Sequence, residues 1–92
     1  MKEIKLDLLN IETEDQFHDF VQNKLEFPYY YGRNADAFWD CITDIFDEIS
    51  FHILNYDKQS SFVKRQIDVY IYMMFLYQEK RKGRFSIHVY FD

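Results

Sequence analysis

The segment from Glu26 to Asp44, EFPYYYGRNADAFWDCITD, decides how this sequence is interpreted. Three consecutive tyrosines precede Gly32, and two carboxylates four residues apart, Asp36 and Asp40, follow it. A protein core uses aromatic rings but excludes unpaired carboxylates, whereas a solvated surface does not need a tryptophan beside an acid. The segment therefore suits a surface that binds another molecule, and the remaining residues must build the scaffold that presents it.

After Gly32 the segment is predicted to form an amphipathic helix. Asn34 is a suitable N-cap, and the apolar periodicity continues to about Phe46. The apolar side chains share one face, and Trp39 lies at its border. At about 100° per residue, four carboxylates fall within about 80° of one another on the other face. They are Asp36, Asp40, Asp44 and Asp47.

Two interpretations of this acidic face remain open. Most charged helix faces are simply solvated, and this one could be no different. However, like charges at this spacing repel each other by a few tenths of a kcal/mol per neighbouring pair, and this helix has no lysine or arginine to offset them. Trp39 borders the face and Tyr29 to Tyr31 lead into it, as aromatic residues do at many binding hot spots. These features favour a binding surface.

The composition indicates one globular domain. The 92 residues suffice for one core, and a hydrophobic share of 48% with an aromatic share of 21% excludes a disordered chain. Cys41 is the sole cysteine, so an internal disulfide is impossible and a reducing compartment is indicated. The longest apolar run, VYIYMMFLY, is too short to span a membrane. We expect a cytoplasmic domain that does not associate with membranes.

The charge of the chain points to a basic partner. A net charge of −5 and a sequence pI near 5.1 disfavour direct binding of nucleic acid, because phosphates require clustered Lys and Arg. The basic stretch Lys80, Arg81 and Lys82 suits the dipole at the end of a helix, and an RNA-binding patch is the alternative for it.

The sequence shows no constellation for catalysis or metal binding. His18, His52 and His88 lack metal-ligand spacing, so structural or surface roles are expected for them. No pairing of a nucleophile with a base stands out. We therefore expect no metal and no cofactor, and an enzyme is the weakest of the functions considered.

The order of elements predicts an α/β domain. Alternating segments predict strands at 1–9, 48–54 and 84–91. Helices are predicted at 13–25, opened by a capping box of Thr13 and Gln16, then at 34–46 and about 67–82, ended by Gly83. A short turn or helix is expected at about 58–63. Strands separated by helices indicate a mostly parallel sheet.

The opening segment resembles the signature of the barstar family, intracellular inhibitors of the ribonuclease barnase. The family pattern is an apolar residue, Pro, any residue, Tyr-Tyr-Gly, any residue, Asn, two positions, Ala, an apolar residue and Trp-Asp-Cys. Residues 27–41, FPYYYGRNADAFWDC, fit this pattern throughout. Outside them the match is one of length and element order. The resemblance implies a single domain over residues 1–92, with a three-stranded parallel sheet packed with about four helices and monomeric when free.

The resemblance also implies a partner, which is a small basic ribonuclease or a toxin nuclease domain. In the family, the loop and the second helix fill the ribonuclease active site. By position, Asp40 would replace the substrate phosphate, Asp36 would pair with a second basic group, and Tyr30 would stack on the enzyme's histidine region. The other implied contact residues are Asn34, Trp39, Thr43, Asp44 and Gln78.

This sequence departs from the family at several positions. Gln78 stands where the family has a glutamate, with Glu79 beside it, and the end of the long helix is more basic. Arg33 replaces an acid and would lie close to a basic partner, and Ala35 replaces a larger apolar residue. These departures suggest a cognate enzyme other than barnase. The alternative function is a barstar-fold binding module whose partner is not a ribonuclease.

Overall fold

The computed structural model describes residues 2–45, 47–80 and 87–92. Within these residues the chain forms three strands, three α-helices and two short 3-10 turns. The strands are Lys2–Asp7 (β1), Ile49–Leu54 (β2) and Ile87–Phe91 (β3). The α-helices are Glu14–Lys24 (α1), Ala35–Thr43 (α2) and Ser61–Lys80 (α3), and the 3-10 turns are Leu8–Asn10 and Tyr56–Lys58.

The sheet is parallel throughout, with β2 in the middle. Ile4 of β1 is paired with Phe51 of β2, which is paired with Val89 of β3, and all three are buried. Because side chains alternate along a strand, the neighbouring Lys5 and Tyr90 point to the opposite, exposed face. The helices therefore cover one face of the sheet, which confirms the predicted α/β fold with a three-stranded parallel sheet.

One aromatic ring from each α-helix meets at the centre of the core. The ring centroid of Phe17 in α1 lies 5.8 Å from that of Phe38 in α2 and 5.0 Å from that of Tyr70 in α3. Phe38 and Tyr70 also contact each other edge to face, at 5.2 Å. Aromatic rings bury large apolar surfaces and prefer such defined geometries. This cluster therefore fixes where α2 sits, and α2 carries the acidic face.

The caps of the first two helices follow the sequence closely. The Thr13 side chain accepts a hydrogen bond from the Gln16 N–H at 3.1 Å, as in a capping box. The reciprocal bond goes to Glu12 rather than Thr13, since Gln16 Oε1 accepts from the Glu12 N–H at 2.6 Å. Asn34 is the N-cap of α2, and its Oδ1 accepts from the Ala37 N–H at 2.8 Å.

Helix α2 ends earlier than predicted. Its last residue is Thr43, and Asp44 is the C-cap, so the expected end near Phe46 is wrong, and Phe46 itself lies outside the described residues. The last turn contains no basic residue, and Asp44 adds a negative charge where the helix dipole is already negative. This unfavourable end explains the early stop. Asp47 consequently lies beyond the helix. The prediction that it shares a helix face with the other three carboxylates is therefore wrong.

Helix α3 begins earlier than predicted. It starts at Ser61 instead of about Ile67 and includes residues 61–63 of the segment 58–63, where a short turn or helix was expected. The second 3-10 turn ends at Lys58, the first residue of that segment. The Ser60 hydroxyl accepts from the Val63 N–H at 3.3 Å, and the buried Val63 extends the apolar stripe toward the N-terminus. The described residues therefore contain three α-helices rather than about four. The predicted stop at Gly83 and the first residues of the last predicted strand lie outside the described residues.

None of the helices in the described parts of the chain is both long enough and apolar enough to cross a membrane.

Candidate protein-binding surface

Helix α2 has one buried and one exposed face. Phe38 and Ile42 are completely buried, whereas Asp36, Asp40 and Asp44 are exposed. Among the described residues, no ion pair neutralises any of these three carboxylates. We call the face of Asp36, Asp40 and Asp44 the acidic face.

The three consecutive tyrosines point in different directions. The exposed fractions of Tyr29 and Tyr30 are 93% and 74%, and their rings contact each other edge to face at 5.4 Å. Tyr31 is only 5% exposed. Large exposed aromatic side chains on a monomer often mark an interaction site. The loop therefore exposes two rings and buries the third, which holds the loop in place.

The hydroxyl of Tyr31 belongs to a cluster formed with the buried His18 and Tyr70 and the half-exposed Glu14, which we call the buried polar cluster. His18, which is 1% exposed, lies with Nδ1 at 2.7 Å from the Tyr31 hydroxyl and Nε2 at 3.1 Å from the Tyr70 hydroxyl. The Tyr70 hydroxyl donates to the Glu14 carboxylate, so its oxygen accepts from His18 Nε2–H. The pattern thereby assigns the ring proton to Nε2 and leaves Nδ1 to accept from Tyr31.

These contacts shift the pKa values of three members of the buried polar cluster. The hydrogen bond from Tyr70 holds the pKa of Glu14 below its ordinary value. Burial raises the pKa of Tyr31 and of Tyr70, and for Tyr70 the bond to Glu14 acts in the same direction. The tyrosines therefore stay protonated and the glutamate stays charged, which is the state that satisfies every hydrogen bond of the cluster.

Arg33 is turned back onto α1. Its Nη2 lies 2.9 Å from the Asp15 carbonyl oxygen and 2.9 Å from Asp19 Oδ1, and its Nη1 donates to Gln22 Oε1 at 3.3 Å. Its backbone φ is 56°, the left-handed region that side chains seldom adopt. The guanidinium is neutralised within the chain and ties the loop to α1, and its expected closeness to a basic partner stays a prediction.

The remaining contact residues of the loop and α2 also have roles within the fold. Asn34 caps α2, and the Thr43 hydroxyl donates to the Trp39 carbonyl oxygen at 2.8 Å. The half-buried Trp39 ring packs edge to face on Tyr77 of α3, and the Lys80 ammonium lies 5.2 Å from its centroid. Trp39 therefore joins the acidic face to α3.

Gln78 is engaged in joining α3 to the sheet. Its Oε1 accepts a hydrogen bond of 2.6 Å from the Val89 N–H of β3, and the side chain is half-buried. The adjacent Glu79 is exposed. The sequence could not reveal this contact, because it depends on where β3 lies beside α3.

A pocket of about 580 Å³ opens between the tyrosine loop, the end of α2 and the starts of β1 and β2. We call it the acidic pocket, because four carboxylates line it, those of Glu26, Asp40, Asp44 and Asp47. Tyr30 also borders it, so it adjoins the acidic face. Among the residues the structure describes, no group of three or more potential ligands could hold a metal ion.

A small α/β scaffold that presents three exposed carboxylates on α2 and two exposed tyrosines on the preceding loop is typical of a protein-binding domain. The family model described as barstar, the barnase inhibitor, matches residues 1–89. A protein of Bacillus subtilis (strain 168) named "Putative ribonuclease inhibitor YrdF" is 34% identical over 88 residues, which cover 95% of this chain and 97% of that protein. The chain belongs to the barstar family of ribonuclease inhibitors. Membership confirms the resemblance and the expectation that the chain is not an enzyme, because the family consists of inhibitors.

Proposed function

We propose that this chain inhibits a cognate ribonuclease by filling the enzyme's phosphate-binding site with α2 and the exposed tyrosines. Asp40 takes the place of the substrate phosphate, Asp36 pairs with a second basic group, and Tyr30 stacks near the enzyme's histidine. Further contacts come from Asn34, Trp39, Thr43 and Asp44.

The acidic face is the observation that carries this proposal. Its three carboxylates are exposed and have no neutralising ion pair among the described residues, although the same chain pairs the nearby Arg33 with Asp19. Phe38 and Ile42 hold the helix rigidly in the core. A partner cation therefore meets charges that are already in position, so little ordering entropy opposes binding.

A ribonuclease site suits such a surface for chemical reasons. The enzyme must bind phosphate with arginine, lysine or protonated histidine, and carboxylates form charge-assisted and often bidentate hydrogen bonds with arginine. The net charge of −5 also attracts a basic enzyme over long distances. Phosphate mimicry explains why an acidic chain would bind an enzyme whose substrate is itself acidic.

The contribution of α3 is narrower than that of α2. The Gln78 amide oxygen already accepts from Val89, so this side chain offers a partner its NH₂ group. Glu79 is exposed and provides the stronger charge at this place.

We further propose that the free chain is monomeric and acts in the cytoplasm. Burial, followed by the negative charges of Asp44 and Asp40, raises the pKa of the Cys41 thiol, which keeps it protonated and unreactive.

Paired baits test the proposed function directly in an extract of the native cell. The parent chain, Asp40→Ala and Asp57→Ala are immobilised and exposed to the extract. Asp57 is exposed on the second 3-10 turn, so its substitution removes the same charge outside the acidic face. We expect the parent and Asp57→Ala, but not Asp40→Ala, to retain a small basic nuclease. Recovery of a protein without nuclease activity would instead support the binding-module alternative.

Association kinetics provide the second part of this test. With the recovered nuclease, the association rate should fall at least tenfold between roughly 50 mM and 500 mM salt, because exposed charges are screened. A rate that does not depend on salt would show that the acidic face is not the approach surface. The isolated chain should not cleave RNA.

A further inference from the structure

The acidic pocket lies next to the surface assigned to phosphate mimicry, and that assignment does not use most of it. We propose that the acidic pocket holds one arginine or lysine side chain of the cognate ribonuclease, contributed from outside the enzyme's phosphate-binding site. This inference rests on the proposed function for the identity of the partner. It adds a second anchoring point, formed by Glu26, Asp44 and Asp47 beside Asp40.

The shape of the acidic pocket suits a long side chain. Its volume of about 580 Å³ is more than one such side chain requires, and its lining includes the buried apolar residues Leu25, Phe27 and Ile49. Lysine and arginine bury an aliphatic stem along apolar surfaces while their charged group stays near polar groups. A lining that combines buried apolar residues with exposed carboxylates matches both parts of such a side chain.

The charge of the acidic pocket favours a cationic occupant over an anionic or apolar one. All four lining carboxylates, those of Glu26, Asp40, Asp44 and Asp47, are exposed. Among the lining residues Lys2 is the sole cation, and its Nζ lies 3.5 Å from Glu26 Oε2. Three carboxylates of the lining therefore have no ion pair from the described residues. Complementary charge favours a positively charged group from a partner.

Elsewhere on α2, a cation of the same chain already lies against the helix. There the Lys80 ammonium of the same chain lies over the Trp39 ring. No comparable cation from the described residues reaches Asp44 or Asp47. Because Tyr30 and Asp40 belong to both the proposed interface and the acidic pocket, a partner seated on the interface would bring its own surface to the pocket entrance.

An arginine analogue tests the acidic pocket independently of any enzyme. N-acetyl-arginine-N-methylamide is titrated into the labelled chain up to about 50 mM, because a single side chain binds in the millimolar range. We expect amide shifts to concentrate at Glu26, Cys41 and Asp47, and neutral N-acetyl-glycine-N-methylamide should cause none there. Absent or scattered shifts would overturn the proposal.

Inhibition of the nuclease recovered with the parent bait tests the role of the acidic pocket in binding. The double variant Glu26→Gln/Asp47→Asn is compared with Glu12→Gln/Asp57→Asn, which removes the same two charges from exposed positions elsewhere. We expect the pocket variant to inhibit about tenfold more weakly than the parent and the control to differ less than about twofold. Melting curves of all variants exclude unfolding as the cause.

The two proposals fail in different ways. If Asp40→Ala loses inhibition while the pocket variant matches its control, the acidic pocket plays no part and the proposed function stands. If the parent inhibits neither barnase nor a nuclease recovered from its own cell, the proposed function is wrong. The proposal that a ribonuclease side chain occupies the acidic pocket then fails with it. Shifts with the arginine analogue would then leave a pocket for a cation from a different partner.

Discussion

Tyr30 and Tyr31 are adjacent in the chain, yet they belong to two regions that treat polar groups in opposite ways. Beneath the loop, the buried polar cluster of Glu14, His18, Tyr31 and Tyr70 satisfies its hydrogen bonds within the chain. Above the loop, the acidic face leaves its carboxylates unpaired by any described residue. A buried polar group must find its partner internally, because desolvation without one is costly. An exposed charge is solvated by water, so it can stay unpaired until another molecule binds.

The largest expected effect separates the two regions by binding. Asp40→Ala should weaken inhibition of the cognate nuclease by about 2–5 kcal/mol, because it leaves desolvated cations of the enzyme unpaired. The melting temperature should stay the same or rise slightly, since Asp40 is exposed among like charges. Inhibition titrations and melting curves of this variant and of Asp57→Ala provide the measurement. A variant that inhibits like the parent, or fails only because it unfolds, would rule out phosphate mimicry.

The next effect separates the two regions by stability. His18→Ala should lower the free energy of unfolding by roughly 3 kcal/mol, because it opens a cavity, removes the acceptor of the Tyr31 hydroxyl and leaves the Tyr70 hydroxyl with Glu14 alone. His88→Ala is the matched control, since His88 is half-exposed and bonds to Glu48 at the sheet. It should cost less than about 1 kcal/mol. Urea unfolding measures both, and equal losses would contradict the importance of the buried polar cluster.

The smallest effect concerns pH and again distinguishes the cluster from the acidic face. Because the folded state lowers the pKa of Glu14, this group adds stability at neutral pH, and the contribution disappears as pH falls below its ordinary value of 4.5. The raised pKa of Tyr31 and Tyr70 acts in the other direction, so stability should decline above pH 10.0.

Glu14→Gln should therefore flatten the acid side of the stability profile, while Asp36→Asn should leave it unchanged. Urea unfolding at a series of pH values provides the comparison. If Glu14→Gln has the same acid limb as the parent, the bond between Glu14 and Tyr70 does not contribute to acid sensitivity.

Local features of the fold could be predicted from the sequence, but contacts between distant residues could not. Strand alternation and the caps at Thr13 and Asn34 depend on neighbouring residues, and all of them are present. The predicted end of α2 and the predicted start of α3 were wrong. The apolar periodicity continues beyond Thr43, where α2 ends. At α3 the polar residues before Ile67 interrupt the apolar periodicity, so the first turns from Ser61 were not predicted.

In the candidate site, too, local features could be predicted from the sequence and contacts between distant residues could not. The exposure of Asp36, Asp40 and Asp44 follows from helical periodicity and needed no structure. The buried polar cluster and the clamp of Arg33 on Asp19 join residues that are 13 to 56 positions apart, so no local pattern could indicate them. The sequence around a single histidine or arginine does not indicate which distant residue it will contact.

The acidic face also has an evolutionary consequence. Because its carboxylates support neither a cap nor an ion pair among the described residues, substitutions there should carry little stability cost. Lineages could therefore exchange these carboxylates one at a time without loss of stability, whereas contact residues such as Asn34 and Trp39 also support the fold. At these positions selection acts through binding of the enzyme rather than through folding, so an inhibitor built in this way can follow a changing enzyme without first acquiring a more stable scaffold.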